Sequence, residues 1–178
     1  MRRADAGANG YVASRQRCNF RLIRWALLGA AALPGLALAD FAGQVVAVQD
    51  GDTLTVLAGS RQTRVRLDSI DAPEMSQAFG KRAKDSLAEL CLSQQAFVRE
   101  YGRDRNGRAI GRVTCAGVDA NLEQVRRGMA WVFDRYATDR SLYALQDAAR
   151  RSRRGLWSVT NPIAPWEWRR IRRSTAPV

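Results

Sequence analysis

The sequence predicts an α+β fold in which a small five-stranded barrel carries three helices. Between residues 41 and 115, most apolar residues alternate with polar or small ones in short runs, which is the period of half-buried strands. One stretch inside that region instead repeats at helical spacing, and two more such stretches follow it. Five short strands with one inserted helix are typical of a small, partly open barrel such as an OB-fold.

Three strands are predicted ahead of the inserted helix. Their alternating apolar residues are Val46 and Val48, then Leu54 and Val56, then Val65 and Leu67. Asp50-Gly51 and Gly59-Ser60 are turn signals between these strands, and Pro73 ends the third.

The inserted helix precedes the last two strands of the barrel. Its apolar residues recur at helical spacing, and they are Ala83, Leu87, Leu90 and Cys91. A fourth strand is predicted around Phe97–Tyr101 and a fifth around Ala109–Cys115, on either side of a turn-rich segment.

Two further helices are predicted after the barrel. Asn121 lies three residues before Gln124, a capping pattern that predicts the start of the second helix. Ser141 precedes the apolar residues of the third helix. Pro162 and Pro165 argue against a continuing helix, so we expect a basic tail containing Trp and Pro at residues 159–178.

Residues 1–39 are predicted to be a signal peptide, and the domain is expected to span residues 40–158. Three arginines precede an uncharged run of 15 residues that ends in Ala37-Leu38-Ala39. A basic flank, an apolar stretch and an A-x-A site are typical of a cleaved secretory signal. The alternative is an uncleaved membrane anchor, although the run is shorter than the ~18 residues of a spanning helix. We therefore expect an exported protein, periplasmic or secreted, cleaved near Ala39.

Cys91 and Cys115 remain once the signal peptide is removed. An even pair of cysteines in an oxidising compartment is a candidate disulfide. Cys91 lies on the apolar stripe of the inserted helix and Cys115 shares its strand parity with Val113, so both thiols are expected to face the core. Two free buried cysteines are the alternative, and the sequence leaves both possibilities open.

The chain contains no histidine. This absence excludes His-ligated metal sites and the Ser-His-Asp and Cys-His nucleophile systems. If the protein is an enzyme, we expect it to use carboxylates, arginines and a metal ion.

Asp52 and Asp71 are the candidate metal ligands, because each lies in an acidic turn after a predicted strand. The Asp50-Gly51 pair taken alone would indicate only a hairpin turn. A second acidic turn, Asp71-Ala72-Pro73-Glu74, strengthens the metal hypothesis, since a proline fixes the backbone and could aim the Ala72 carbonyl at an ion. Two carboxylates, a carbonyl and waters suit Ca²⁺ better than any metal that prefers soft ligands.

Glu74, Arg66 and Arg108 are the candidate catalytic residues. Glu74 could orient or deprotonate a water, or it could only satisfy the dipole of the following helix. Arg66 lies on the strand that leads to Asp71, and Arg108 follows the Asn106-Gly107 turn. Single arginines are usually surface cations, but a pair beside acidic turns is suited to binding a phosphate.

The net charge of +12 is unevenly distributed. Residues 40–149 contain equal numbers of basic and acidic side chains, whereas residues 150–178 contain eight Arg and one Glu. Such a segment attracts polyanions in a salt-dependent way, or it is only a solvated helix end with a disordered tail. Because the candidate site also points to phosphates, we favour attraction of nucleic acid.

These turns, in this order, resemble those of the staphylococcal nuclease-like (thermonuclease) family, and the resemblance runs from about Phe41 to Ser158. The family's fold is an OB-fold with three helices. The resemblance implies that three groups bind Ca²⁺, namely Asp52, Asp71 and the Ala72 carbonyl. It also implies that Glu74 assists the attacking water, and that Arg66 and Arg108 bind the phosphate and stabilise the transition state.

The implied activity is Ca²⁺-dependent hydrolysis of DNA and RNA by a monomer, leaving 5′-hydroxyl and 3′-phosphate ends. Tyr136 matches a nucleotide-contacting aromatic residue of the family, whereas Asn106 and Asp134 replace aromatic residues. We therefore expect the chemistry to be kept and the affinity or end preference to be altered. The alternative is a non-catalytic OB-fold module that binds nucleic acid. Loss of Glu74 or of either arginine would have favoured that alternative.

Overall fold

A computed structural model describes residues 40–175, so the predicted signal peptide at residues 1–39 lies outside the described residues. The strands are β1 (Phe41–Val48), β2 (Thr53–Ala58), β3 (Arg61–Leu67), β4 (Ile70–Asp71), β5 (Gln95–Arg103), β6 (Ala109–Cys115), β7 (Val118–Asp119) and β8 (Trp131–Val132). The α-helices are α1 (Gly80–Cys91), α2 (Ala120–Arg126), α3 (Arg140–Arg151) and α4 (Pro165–Ser174), and a 3-10 helix covers Gly155–Ser158. Within residues 40–175, no helix has both the length and the apolar character needed to cross a membrane.

Five strands close into a barrel. Antiparallel pairing runs in the order β3-β2-β1-β5-β6, and β3 then pairs with β6 in parallel to close the sheet. The closing register places Val65 opposite Ala109 and Leu67 opposite Gly111. The predicted α+β, OB-type barrel is therefore confirmed, and the first three predicted helices correspond to α1, α2 and α3.

The barrel is filled mainly by the alternating apolar residues that predicted β2, β3, β5 and β6. In β1 the prediction was wrong in its parity: Val46 is exposed and Val45 is buried instead, because the register shifts between Val45 and Ala47. The barrel's fully buried large side chains include Leu54, Val56, Val65, Leu67, Val98 and Val113. A disulfide joins Cys91, the last residue of α1, to Cys115, the last residue of β6, with a Cα–Cα distance of 5.2 Å. The bond ties the inserted helix to the strand that closes the barrel.

The two helices after the barrel begin at caps other than the predicted ones. Asp119 caps α2 by accepting a hydrogen bond from the Leu122 amide at 2.9 Å. The predicted cap, Asn121, is instead buried inside the helix, where it accepts from the Val113 amide at 3.0 Å and donates to the Asp68 carbonyl at 2.9 Å. A buried amide that links two neighbouring segments is a tertiary contact, which a local capping pattern cannot indicate.

The predicted three helices omit α4, which lies in the segment expected to be a tail. Pro162 and Pro165 argued against a continuing helix, and α3 does end well before them. Pro165 occupies the first turn of α4, where its missing amide hydrogen would have no helical partner in any case. Proline therefore starts α4 and does not end α3, whose last residue is Arg151.

Candidate active site

A cleft of about 780 Å³ lies beside the turns that the sequence singled out. Its wall is formed by the turn after β1, the segment from Arg66 to Glu74, the turn between β5 and β6, the segment after β8 and one residue of α4. Six arginines line it: Arg66, Arg103, Arg105, Arg108, Arg135 and Arg169. Six carboxylates lie among them: Asp50, Asp52, Asp68, Asp71, Glu74 and Asp104. A cleft with this lining can bind both anions and cations.

Arg66 bridges the two predicted metal ligands. Its guanidinium donates to Asp52 Oδ1 through Nη1 and to Asp71 Oδ1 through Nη2, the latter at 2.9 Å. The Ala72 amide donates to the other oxygen of Asp52 at 2.8 Å. Asp52 is 4 % exposed and Asp71 is fully buried, so three of the predicted site residues and Ala72 form one buried cluster.

Gly51 is required by packing rather than by a hairpin turn. A Cβ atom at this position would lie 2.5 Å from the Cβ of Ala83 in α1 and 2.7 Å from the Cβ of Ala72. Gln124 of α2 donates to the Gly51 carbonyl at 2.7 Å and to the Ala83 carbonyl at 3.0 Å. The backbone that presents Asp52 is therefore held between two helices.

Burial and, to a smaller extent, neighbouring negative charge raise the pKa values of Asp50 and Asp71. Burial, followed by the charge of Asp52, raises the pKa of Asp50 to about 6. Burial also raises the pKa of Asp71 above its usual value, although the hydrogen bond from Arg169 and the charges of Arg66 and Arg169 lower it in part. For Arg66, burial lowers the pKa, but the two aspartates outweigh that effect and keep the guanidinium charged. Negative charge is thus concentrated where a cation would be stabilised.

Arg108 is held by the turn that precedes it. Asp104 accepts hydrogen bonds from the backbone amides of Asn106 and Arg108, at 2.9 and 3.0 Å, and from Arg108 Nε at 2.7 Å. Partial burial raises the pKa of Asp104, but these hydrogen bonds outweigh it and lower the pKa below its usual value. The backbone amide of Asn106 therefore stabilises the turn. Asp104 positions the side chain of Arg108, a role that sequence reasoning missed.

Glu74 lies at the more exposed side of the cluster, and its partner comes from α4. The side chain of Glu74 is 41 % exposed, and its Oε1 accepts a hydrogen bond from Arg169 Nη1 at 2.7 Å. Arg169 also donates to Asp71 Oδ2 at 2.6 Å. Sequence reasoning missed Arg169, because 98 residues separate it from Asp71.

The aromatic side of the cleft is formed by Phe133 and Tyr136. Their rings contact edge to face, with centroids 5.2 Å apart, and Tyr136 is 56 % exposed. Asp134 is absent from the residues that line the cleft. Its carboxylate instead raises the pKa of the Tyr143 hydroxyl by accepting its hydrogen bond. An accessible aromatic face therefore lies beside the arginines, and the nearby carboxylate points elsewhere.

The donor set fits a hard divalent cation. Across residues 40–175, the structure brings together no group of three or more His, Cys, Asp or Glu side chains suited to a metal ion. Among the carboxylates that line the cleft, Asp52 and Asp71 are the buried ones, and the Ala72 carbonyl and waters are the other donors that the sequence suggested. All of these donors are oxygens, which Ca²⁺ and Mg²⁺ prefer and which soft metals do not.

The fold and this cleft define a class of protein: an OB-fold domain whose site combines buried carboxylates with paired arginines. A family model described as "Staphylococcal nuclease homologue" matches residues 64–159. The chain belongs to this staphylococcal nuclease-like family. The matched segment contains Arg66, Asp71, Glu74 and Arg108, and the ion pair with Arg66 connects it to Asp52.

Several bacterial relatives are similar over most of their length. A protein named "Micrococcal nuclease" from Shigella flexneri is 45 % identical, over 75 % of this chain and 83 % of its own. An "Uncharacterized endonuclease" from Escherichia coli is 43 % identical, over 74 % of this chain and 86 % of its own. Another protein of that name, from Haemophilus influenzae, is 41 % identical, over 71 % of this chain and 72 % of its own.

Proposed function

We propose that this protein is a nuclease that hydrolyses phosphodiester bonds of DNA and RNA in a Ca²⁺-dependent reaction. The observation that carries the proposal is the convergence of Glu74, Arg66 and Arg108 on one cleft beside the buried pair Asp52 and Asp71. The names of the bacterial relatives support the same activity. By the family resemblance, the products would carry 5′-hydroxyl and 3′-phosphate ends.

The two arginines would bind the reacting phosphate. Guanidinium groups bind phosphate oxygens in pairs, and fixed positive charge near the phosphorus stabilises the negative charge that develops in the transition state. Asp104 holds Arg108 by Nε and leaves its terminal nitrogens for a ligand. Arg66 already bridges two carboxylates, so its contact with a phosphate requires that it share or exchange these partners.

Glu74 would orient or deprotonate the attacking water. A general base must be accessible and charged, and its carboxylate is the most exposed of those that contact Arg66 or Arg169. Arg169 would have to leave at least one oxygen of Glu74 free for the water.

A divalent cation bound by Asp52, Asp71, the Ala72 carbonyl and waters would polarise the phosphate. The residues themselves would fix the ligand positions, because both carboxylates are buried and hydrogen bonded. Tyr136 would stack against a base or sugar at the open side of the cleft.

The alternative is a binding module without activity, and one experiment separates the two. Single-stranded DNA is incubated with the purified protein in Ca²⁺ and, in parallel, in chelator. Cleavage that requires Ca²⁺ and leaves ends that polynucleotide kinase labels directly at the 5′ side would support the nuclease. Binding without cleavage, with any divalent ion, would leave the binding module.

We also propose that the protein is exported after cleavage near Ala39. The basic flank, the uncharged run and the A-x-A site support this, as does a disulfide in the domain. N-terminal sequencing of the protein from the culture medium or the periplasm tests the proposal. A chain that begins at Asp40 supports it, and a chain that retains residues 25–39 in the membrane fraction contradicts it.

A further inference from the structure

Helix α4 is packed against the site by aromatic side chains. The ring of Trp166 stacks on that of Phe133 with centroids 5.5 Å apart, and it meets the ring of Trp131 edge to face at 5.8 Å. Gln77 donates to the Ile163 carbonyl at 2.6 Å, just before the helix begins. One full turn of helix after Pro165 then brings Arg169 to the cleft.

Arg169 binds carboxylate oxygens of two residues of the proposed site, Asp71 and Glu74. Its Nη2 donates to Asp71 Oδ2 at 2.6 Å, and its Nη1 donates to Glu74 Oε1 at 2.7 Å and to Asp71 Oδ1 at 3.3 Å. The carboxylate of Asp71 therefore shares both oxygens with guanidinium groups, since Arg66 also donates to Oδ1. The oxygens of Asp71 that would bind a metal ion therefore accept hydrogen bonds from the positively charged side chain of Arg169.

Simple electrostatics makes the guanidinium and a metal ion competitors. Arg66 is shared by two buried carboxylates, Asp52 and Asp71, so one negative charge of the pair stays uncompensated when no ion is bound. Arg169 supplies that second positive charge to Asp71. When an ion does bind, a guanidinium within hydrogen-bond distance of the same oxygens repels it. Arg169 therefore stabilises the metal-free protein and opposes binding of the metal ion.

We propose that Arg169 is an internal counter-cation that holds Asp71 and Glu74 in the metal-free protein and that a divalent cation displaces. Helix α4 thereby sets the affinity of the cation site and frees Glu74 only once the ion is present. This inference rests on the cation dependence given under the proposed function. It adds a positioning residue from outside the five strands of the barrel.

The first test compares Ca²⁺ binding by calorimetry in the wild type, Arg169→Gln and Arg170→Gln. The two variants lose the same charge from adjacent positions of α4, but Arg170 is exposed and lies outside the cleft. We expect Arg169→Gln to bind Ca²⁺ about tenfold more tightly than the wild type, and Arg170→Gln to bind within about twofold of it. Arg169→Lys, which keeps the charge, should stay near the wild type. Unchanged or weaker binding by Arg169→Gln would overturn the displacement.

The second test uses stability rather than binding. In chelator, Arg169→Gln should unfold at a lower temperature than the wild type, because Asp71 loses its hydrogen bonds from α4. Saturating Ca²⁺ should remove most of this difference. A difference that persists unchanged in Ca²⁺ would show that Arg169 keeps its partners in both states, and no difference in chelator would show that the contacts contribute nothing.

These outcomes separate this inference from the proposed function. If the wild type and Arg169→Gln bind Ca²⁺ equally, only the displacement fails. If neither protein binds Ca²⁺, the proposed cation dependence fails and the displacement fails with it.

Discussion

At the scale of single residues, the site is a network of ion pairs in which one side chain pairs with two partners. Asp71 is fully buried and contacts Arg66 and Arg169, while Asp52 contacts the same Arg66. Residue types and turn positions pointed to Asp52, Asp71 and Glu74 and to two arginines, and the structure brings these residues to one cleft. The partnership with Arg169 was not predictable, because it depends on how a helix 95 to 98 residues further along the chain packs.

The role of Glu74 can be tested by removing its charge. Glu74→Gln keeps the size of the side chain and an oxygen that can accept from Arg169, but it cannot take a proton from water. We expect turnover of single-stranded DNA in Ca²⁺ to fall by about 10²- to 10³-fold, with the affinity for DNA within about threefold of the wild type. Glu89→Gln, an exposed change of the same charge on α1, is the control and should keep full activity. Equal activity in Glu74→Gln would remove this residue from the mechanism.

Asp50 should make the metal-free protein less stable at neutral pH. The pKa of its carboxyl is about 6 in the folded protein and 3.8 ordinarily, so the folded state binds more protons between these values and stability falls as the pH rises. Asp50→Asn removes the charge and keeps the acceptor for the Asp52 amide at 3.0 Å. We expect the variant to be more stable by about 3 kcal/mol at pH 7 and close to the wild type near pH 4.

Urea denaturation in chelator at the two pH values measures this difference. The wild type at each pH is the reference, so effects of pH on the rest of the protein cancel. A gain of the same size at pH 4 and pH 7 would mean that the charge of Asp50 is not its cause.

At the scale of elements, strand and helix periodicity predicted the barrel and three helices, whereas local capping patterns were less informative. The strands predicted from Val46 to Leu67 are β1, β2 and β3, although in β1 Val45 rather than Val46 is buried, and the predicted strand Ala109–Cys115 is β6 itself. Periodicity survives because it reflects which faces are buried. The cap of α2 was predicted wrongly because Asn121 makes contacts with distant segments instead. Helix α4 was missed because Pro165 in an Arg-rich sequence argues against a helix, and the contacts that hold α4 are with distant segments.

The disulfide should stabilise the link between α1 and β6. Cys91 and Cys115 are separated by 24 residues, and closing a loop of this length restricts the unfolded chain. We expect reduction to lower the free energy of unfolding by about 3 kcal/mol, measured by urea denaturation with and without reductant. The variant with both residues changed to alanine is the control, because its stability should not respond to reductant. A wild type that does not respond either would show that the bond contributes nothing to stability.

At the scale of the whole molecule, the charge from Asp40 onwards is divided between a balanced segment and a basic C-terminal segment. Residues 40–149 carry equal numbers of acidic and basic side chains, whereas residues 150–178 carry eight arginines and one glutamate. Part of this segment forms helix α4, and the helix fixes which of its arginines face the cleft and which face the solvent. Arg169 faces the cleft, while Arg170, Arg172 and Arg173 are exposed on the same helix. A nucleic acid that enters the cleft would therefore pass a row of positive charge.

This arrangement predicts how binding depends on salt. The plot of log affinity against log salt has a negative slope, and each phosphate neutralised on a single strand makes it steeper by about 0.7. Changing the three exposed arginines of α4 to glutamine should therefore make the slope less steep by about 2. Binding to single-stranded DNA is measured in chelator, which prevents cleavage. A matched variant changes Arg61, Arg64 and Arg99 of the barrel, which are also exposed, and should reduce the slope by less than 1. Equal slopes in the two variants would mean that the nucleic acid senses only the total charge, and that α4 has no part in directing it to the cleft.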